Sequence, residues 1–129
     1  MEPKPCTVLV VEDEVLIREI LARELEDAGY AVLEAETGEQ ALSLLRIWQD
    51  RIDWLFTDIR LPGGIDGWRL AEEFRLSHPL RPVVYATAFS EEWPQQVPGS
   101  IFLRKPYRPA QVAAAFRRLT HDIDALSTR

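Results

Sequence analysis

Trp54-Leu55-Phe56-Thr57-Asp58-Ile59-Arg60-Leu61-Pro62-Gly63-Gly64 opens as an apolar run and closes in a Pro-Gly-Gly loop. The run from Trp54 to Thr57 reads as a buried strand, and the loop behind it is a turn signal. One acid, Asp58, stands where the apolar run stops. A carboxylate at that point is held at the rim of a sheet and not on a free loop.

Working outward, Thr7-Val8-Leu9-Val10-Val11 is a second continuous β-branched and apolar run, suited to a strand covered on both faces. It ends in three acids, Glu12, Asp13 and Glu14. Ile17, Ile20, Leu21 and Leu25 then recur at helical spacing, and Gly29 is placed to end that helix. Tyr30 to Ala35 reads as a strand. Thr37 with Gln40 is a capping-box pair, opening a helix whose inward residues are Ala41, Leu42, Leu44, Leu45 and Trp48. Behind the Pro-Gly-Gly loop, Asp66 caps a helix carrying Trp68, Leu70, Ala71 and Phe74. Pro82 to Ala86 and Ile101 to Arg104 are further strands. Arg108 and Pro109 open a last helix with the stripe Val112, Phe116, Leu119 and Ile123.

Buried strands alternating with helices predict an α/β fold: a doubly wound, five-stranded parallel sheet with helices on both faces. One connection departs from the pattern. Between Thr87 and Ile101, where a fourth helix belongs, Pro94 and Pro98 forbid a long helix. About one helical turn after Ser90 and then irregular loop is expected.

In such sheets ligands bind at the carboxyl ends of the strands, where the strand order reverses. Glu12 and Asp13 follow the first strand, Asp58 the third, Thr87 the fourth and Lys105 the fifth. Three carboxylates in one cleft require a proton or a cation. Oxygen donors without His or Cys suit Mg²⁺ or Mn²⁺. Lys105 supplies a fixed positive charge for a phosphoryl oxygen, Thr87 a hydrogen bond, and Asp58 a nucleophile. This is equipment for in-line phosphoryl transfer to a carboxylate. Singly, each residue has a plainer reading: Asp13 and Glu14 as helix-capping acids, Lys105 as a solvated edge residue, Thr87 as a strand former. Their joint placement favours the site.

Val10-Val11-Glu12-Asp13-Glu14, Thr57 to Gly64, Ala86-Thr87-Ala88 and Lys105-Pro106-Tyr107 together resemble the receiver domain of two-component response regulators, the flavodoxin-like fold of the chemotaxis regulators. The resemblance covers about residues 7–125. It implies the strand order 2-1-3-4-5, here with a truncated fourth helix, and phosphorylation of Asp58 by a sensor histidine kinase or a histidine phosphotransfer protein. It also implies Mg²⁺ held by Asp13, Asp58 and the backbone carbonyl of Arg60, with Glu12 acting through a bound water. Thr87 and Lys105 would bind the phosphoryl group, Phe102 would be the aromatic partner of a Thr87 switch, and the Lys105–Pro106 peptide would be cis. Tyr85-Ala86-Thr87-Ala88 partly matches the Phe-Ala-Thr-Gly element of stand-alone alphaproteobacterial receivers.

Two other readings share some of these residues. One is an unphosphorylated receiver acting only as a binding module. The other is a Mg²⁺-dependent phosphohydrolase with an Asp nucleophile, which wants a second acid where Arg60 stands. A flavodoxin-like flavin site is disfavoured, because Glu12-Asp13-Glu14 would repel the flavin phosphate.

The bulk properties agree with one signalling domain. The chain has 129 residues, 47% hydrophobic and 28% charged, and a net charge of −6. That length suits a single domain with no output domain. The acidic balance disfavours direct nucleic-acid binding, and no apolar run is long enough to span a bilayer. A single cysteine, Cys6, forms no internal disulfide and suits a cytoplasmic setting. His78 and His121 read as surface residues, Trp48, Trp54 and Trp68 as packing residues, and Trp93 as core or as a partner anchor.

Overall fold

The computed structural model describes residues 5–88 and 96–127, the side chains up to residue 122. Five strands, Thr7–Val11 (β1), Ala31–Ala35 (β2), Trp54–Asp58 (β3), Val83–Thr87 (β4) and Ser100–Arg104 (β5), form one parallel sheet in the order β2-β1-β3-β4-β5. Among the described residues there are four α-helices: Val15–Asp27 (α1), Gly38–Trp48 (α2), Gly67–Ser77 (α3) and Pro109–Ser127 (α4). Among the described residues, none stands between β4 and β5. Ser90, Trp93 and Pro94, and with them the expected helical turn, lie outside the described residues.

The alternation of each strand divides the core in two. Val8, Val10, Trp54, Phe56, Val84 and Ala86 face α1 and α4, meeting Leu21, Leu25, Val112 and Phe116. Leu9, Val11, Leu55, Val83 and Tyr85 face α2 and α3, meeting Leu42, Leu70, Ala71 and Phe74. With both faces covered, β1, β3 and β4 are apolar along nearly their whole length, as the sequence requires. Trp54 stacks on Phe116 with ring centroids 4.5 Å apart, fixing the start of β3 on α4.

The caps fall where the sequence puts them. Thr37 accepts from the Gln40 N–H at 3.1 Å, while the Gln40 side chain accepts from the Glu36 N–H at 3.0 Å. Asp66 accepts from the Arg69 N–H at 3.0 Å. Gly29, with φ +99°, closes α1 in the left-handed region.

Three expectations need correction. Ile20 is 59% exposed and does not share the inward stripe of Leu21 and Leu25. The stripe is narrower than the spacing allowed: the buried residues of α1 are Leu21, Ala22 and Leu25. His78 is not a plain surface residue: its side chain is half-buried and its Nε2 lies 3.1 Å from an Asp50 carboxylate oxygen. Asp58 and Thr87 are the last residues of β3 and β4 and not the first beyond them, and both strands are buried to their ends. Ile123, expected on the α4 stripe, lies beyond the described side chains.

The return from the β4–β5 connection is pinned by two groups, the buried Tyr85 and the half-buried Arg75. Tyr85 accepts from the Val97 N–H at 3.3 Å. The Arg75 guanidinium donates to the carbonyls of Arg81 (2.7 Å), Pro79 (3.1 Å), Pro98 (2.6 Å) and Gly99 (3.4 Å), tying α3 to both neighbouring loops.

Candidate functional site

The predicted rim residues meet above the C-terminal ends of β1 and β3, where the order reverses between β2-β1 and β1-β3. The sheet ladder continues past the strands and sets them in place. The Glu12 N–H donates to Ala35 O at 3.0 Å, Ile59 N–H to Ala86 O at 3.1 Å, and Lys105 N–H to Thr87 O at 2.8 Å. Each site residue therefore rides on a backbone position fixed by its neighbour strand. The Lys105–Pro106 peptide is cis.

Asp58 is 2% exposed. The Lys105 ammonium lies 2.8 Å from its Oδ1 and 3.2 Å from Oε1 of Glu12, bridging the two acids. Oδ2 of Asp58 is buried with no hydrogen-bond partner among the described residues. Glu12 is fully buried and better supplied. Its Oε2 accepts from the Glu14 N–H at 3.1 Å, its Oε1 from the Tyr107 hydroxyl at 3.5 Å, and its backbone carbonyl from Arg18 at 2.9 Å. Asp13 is exposed. Glu12, Asp13 and Asp58 each offer a carboxylate oxygen, all three within 4.8 Å of one another.

The two buried acids hold their protons differently. Burial, then the neighbouring Glu12, pushes Asp58 up to about 8, against the pull of Lys105. Burial also opposes the charge on Glu12, but hydrogen bonds from Asp58 and the Glu14 N–H, with Lys105, outweigh it and hold Glu12 below the usual carboxylate range. Burial lowers Lys105, yet its contacts with Asp58 and Glu12 raise it overall. The pair of acids thus shares one proton near neutrality, on the Asp58 side.

A small cleft of about 130 Å³ opens over this centre, lined by Asp58, Arg60, Ala86, Thr87, Ala88 and Lys105. It is large enough for a tetrahedral oxyanion and too small for a cofactor. A larger cavity of about 860 Å³ lies at the N-terminal ends of β1, β2 and β3, lined in part by Cys6, Trp48 and Trp54. Its charged lining residues, Asp50, Arg51 and Asp53, are exposed or half-buried, unlike the buried Glu12 and Asp58. Burial pushes the Cys6 thiol there up to about 12, so it packs as a neutral group.

Phe102 does not reach this centre. It stacks on Tyr85 (centroids 4.9 Å apart) and meets the edge of Trp68 (5.6 Å), with Trp68 and Tyr85 also 5.0 Å apart. The three rings form a closed triangle on the α3 side of the sheet.

Sequence reasoning passed over two contributors. Tyr107 belongs to the Lys105-Pro106-Tyr107 motif, but nothing in its type shows that its hydroxyl turns toward Glu12. Arg18 bridges the Glu12 carbonyl and the Glu34 carboxylate, the latter at 3.2 Å. A cation one turn into a helix that begins beside three acids was the available signal.

Comparison with known proteins agrees with this geometry. The sequence pattern of the response regulator receiver domain matches residues 8–117. The chain is 30% identical over 122 residues to the sensor kinase CckA of Brucella abortus, covering 92% of this chain and 13% of that protein. It is 32% identical over 126 residues to the transcriptional regulatory protein CreB of Escherichia coli, covering 95% and 54%. It therefore spans between about an eighth and about half of these relatives. The crystal structure of a response regulator receiver protein from Sinorhizobium medicae superposes with a TM-score of 0.87 at 33% identity, covering 93% of this chain and 98% of that one. With the family pattern running through both strand-end acids and Asp58, the chain belongs to the receiver domains of response regulators.

Proposed function

We propose that this receiver accepts a phosphoryl group on Asp58 from a phosphohistidine, borne by a sensor histidine kinase or a histidine phosphotransfer protein, and signals through protein contacts. The observation that carries this is the placement of Asp58: a buried acid with Lys105 2.8 Å from Oδ1, at the base of a cleft of oxyanion size. A buried acid at the base of an oxyanion-sized cleft is placed to act as the nucleophile once a bound cation displaces its proton.

In the transfer, an Asp58 oxygen attacks phosphorus. One P–O bond forms, the P–N bond to the donor imidazole breaks, and the imidazole, protonated on its other ring nitrogen, leaves neutral with the bonding electron pair. Lys105, already 2.8 Å from Oδ1, follows the negative charge onto a phosphoryl oxygen. Thr87, at the edge of the same cleft, donates its hydroxyl to another. The product is an acyl phosphate that water later cleaves, and the chain serves as a phosphoacceptor.

The carboxylates of Asp13 and Asp58, with the backbone carbonyl of Arg60, would hold Mg²⁺ or Mn²⁺. The donor set fits a hard cation, being all oxygen, clustered, and including one orphaned buried atom. Glu12, whose oxygens are taken up by protein donors, would act through a water. The cation would neutralise charge between acceptor and phosphoryl group. Phe102 would couple to Thr87 through the aromatic triangle, from a ring that already packs inward.

The site's approach is apolar on one side. Val15, Leu16 and Ile20 of α1 are exposed at 47, 72 and 59%, just beyond the acidic turn. A helical partner that brings a phosphohistidine to Asp58 would bury this face. The linkage chemistry tests the proposal. Label transferred from a phosphoramidate should be released by hydroxylamine, as from an acyl phosphate; label that resists hydroxylamine would place the phosphoryl group elsewhere.

A further inference from the structure

Oε1 of Glu12 is approached by Lys105 and by the Tyr107 hydroxyl, and of these Lys105 is also paired with Asp58. Lys105 lies 3.2 Å from it and Tyr107 Oη 3.5 Å. The same ammonium also holds Oδ1 of Asp58 at 2.8 Å. When Asp58 carries a phosphoryl group, its charge moves outward onto phosphoryl oxygens, and the ammonium moves with it. Glu12 is fully buried, so an oxygen left behind without a donor is costly. The Tyr107 hydroxyl is the donor that remains. Its ring is fixed edge-on against Phe56, centroids 5.2 Å apart, so the hydroxyl is held in place by packing and does not depend on Lys105.

We propose that Tyr107 is a positioning residue for the phosphorylated state: its hydroxyl takes over Oε1 of Glu12 and thereby releases Lys105 to the phosphoryl group. This rests on Asp58 being the phosphoacceptor. Tyr107 touches no reacting atom; it acts on how easily Lys105 leaves Glu12. A phenylalanine at this position would keep the packing on Phe56 and lose the exchange. Lys105 would then be divided between two buried acceptors.

The test compares two ligands on the same protein. Mg²⁺ affinity is measured by calorimetry, and then the affinity of the Mg²⁺-loaded protein for beryllium trifluoride, an acyl-phosphate mimic, by fluorine NMR. In Tyr107→Phe the loss of beryllium trifluoride affinity should exceed any change in Mg²⁺ affinity by about tenfold, the scale of one hydrogen bond to a buried charge. In a Glu12→Gln background, where no buried charge is left to satisfy, removing the hydroxyl should add nothing further. Equal affinities in wild type and Tyr107→Phe would overturn the proposal. So would a proportional loss of both ligands, which would mean that the hydroxyl only supports the shape of the site. A wild-type protein that binds no beryllium trifluoride would instead overturn the phosphoacceptor reading, and this inference with it.

Discussion

Asp58 is a carboxylate kept where it is uncomfortable. Burial and Glu12 raise it to about 8, well above an unfolded aspartate. A group with a raised folded pKa contributes stability while protonated, and that contribution is lost as pH rises through the folded value. The cation-free protein should therefore lose about 2 kcal/mol of stability between pH 6 and pH 9. Glu12 is shifted the other way and is already ionised in this range, so it does not oppose the trend. Asp58→Asn should abolish the loss, leaving a protein more stable than wild type at pH 9 without Mg²⁺. Chemical denaturation at the two pH values checks this, and an unchanged slope in Asp58→Asn would show that Asp58 is not the strained group. At this scale the sequence was informative about backbone positions. Glu12, Asp13, Asp58, Thr87 and Lys105 sit at strand ends, and strand ends are set by apolar runs. It was silent on the Tyr107 hydroxyl and on Arg18, because long side chains are aimed by packing that involves residues far away in the chain.

Among the elements, α3 is the one most tightly joined to the site. A Cβ on Gly67 would overlap the Asp58 carbonyl oxygen and stand 2.9 Å from Ile59 Cα. The Gly67 N–H also donates to Ile59 O at 2.8 Å. The first turn of α3 thus rests directly on the end of β3, with no side chain between. Gly67→Ala should cost roughly 2 to 4 kcal/mol, since backbone meets backbone and neither can yield cheaply. Thermal unfolding measures it; a shift of under about 0.5 kcal/mol would mean the contact relaxes freely. The same loop explains Gly63, at φ +94° and against the Glu39 carboxylate, which in turn accepts from the Gly64 N–H at 3.0 Å. Helix starts were legible here because Thr37 and Asp66 cap them with short-range bonds. The exposed face of α1 was not, because Ile20 and Leu21 are both apolar and only tertiary packing decides between them. The prolines before β5 excluded a long fourth helix. They gave no hint of Arg75, whose grip on four carbonyls fastens the returning chain.

At the scale of the molecule, two ends of one sheet are put to different uses. The N-terminal ends hold a larger cavity of mixed lining; the C-terminal ends hold buried acids, an ammonium and a small cleft, with the apolar face of α1 beside them. If that face receives the phosphohistidine partner, Leu16→Asp combined with Ile20→Asp should slow transfer from a kinase that phosphorylates the wild type by tenfold or more, the order of loss expected for apolar anchors at an interface. Uptake from a small phosphodonor should be spared, because both residues are solvent-exposed. Equal slowing from both donors would place the defect in the site and not in docking. The topology was readable in advance because alternating buried strands and helices admit few arrangements. Which surface meets a partner was not, because exposure is a property of the folded whole. The central claim has a direct test. The protein is incubated with a small phosphodonor and Mg²⁺ and weighed by intact mass spectrometry, beside Asp58→Asn. The wild type should gain one phosphoryl group, only with Mg²⁺, and the variant none; no gain in the wild type, or an equal gain in both, would contradict the assignment of Asp58 as the phosphoacceptor.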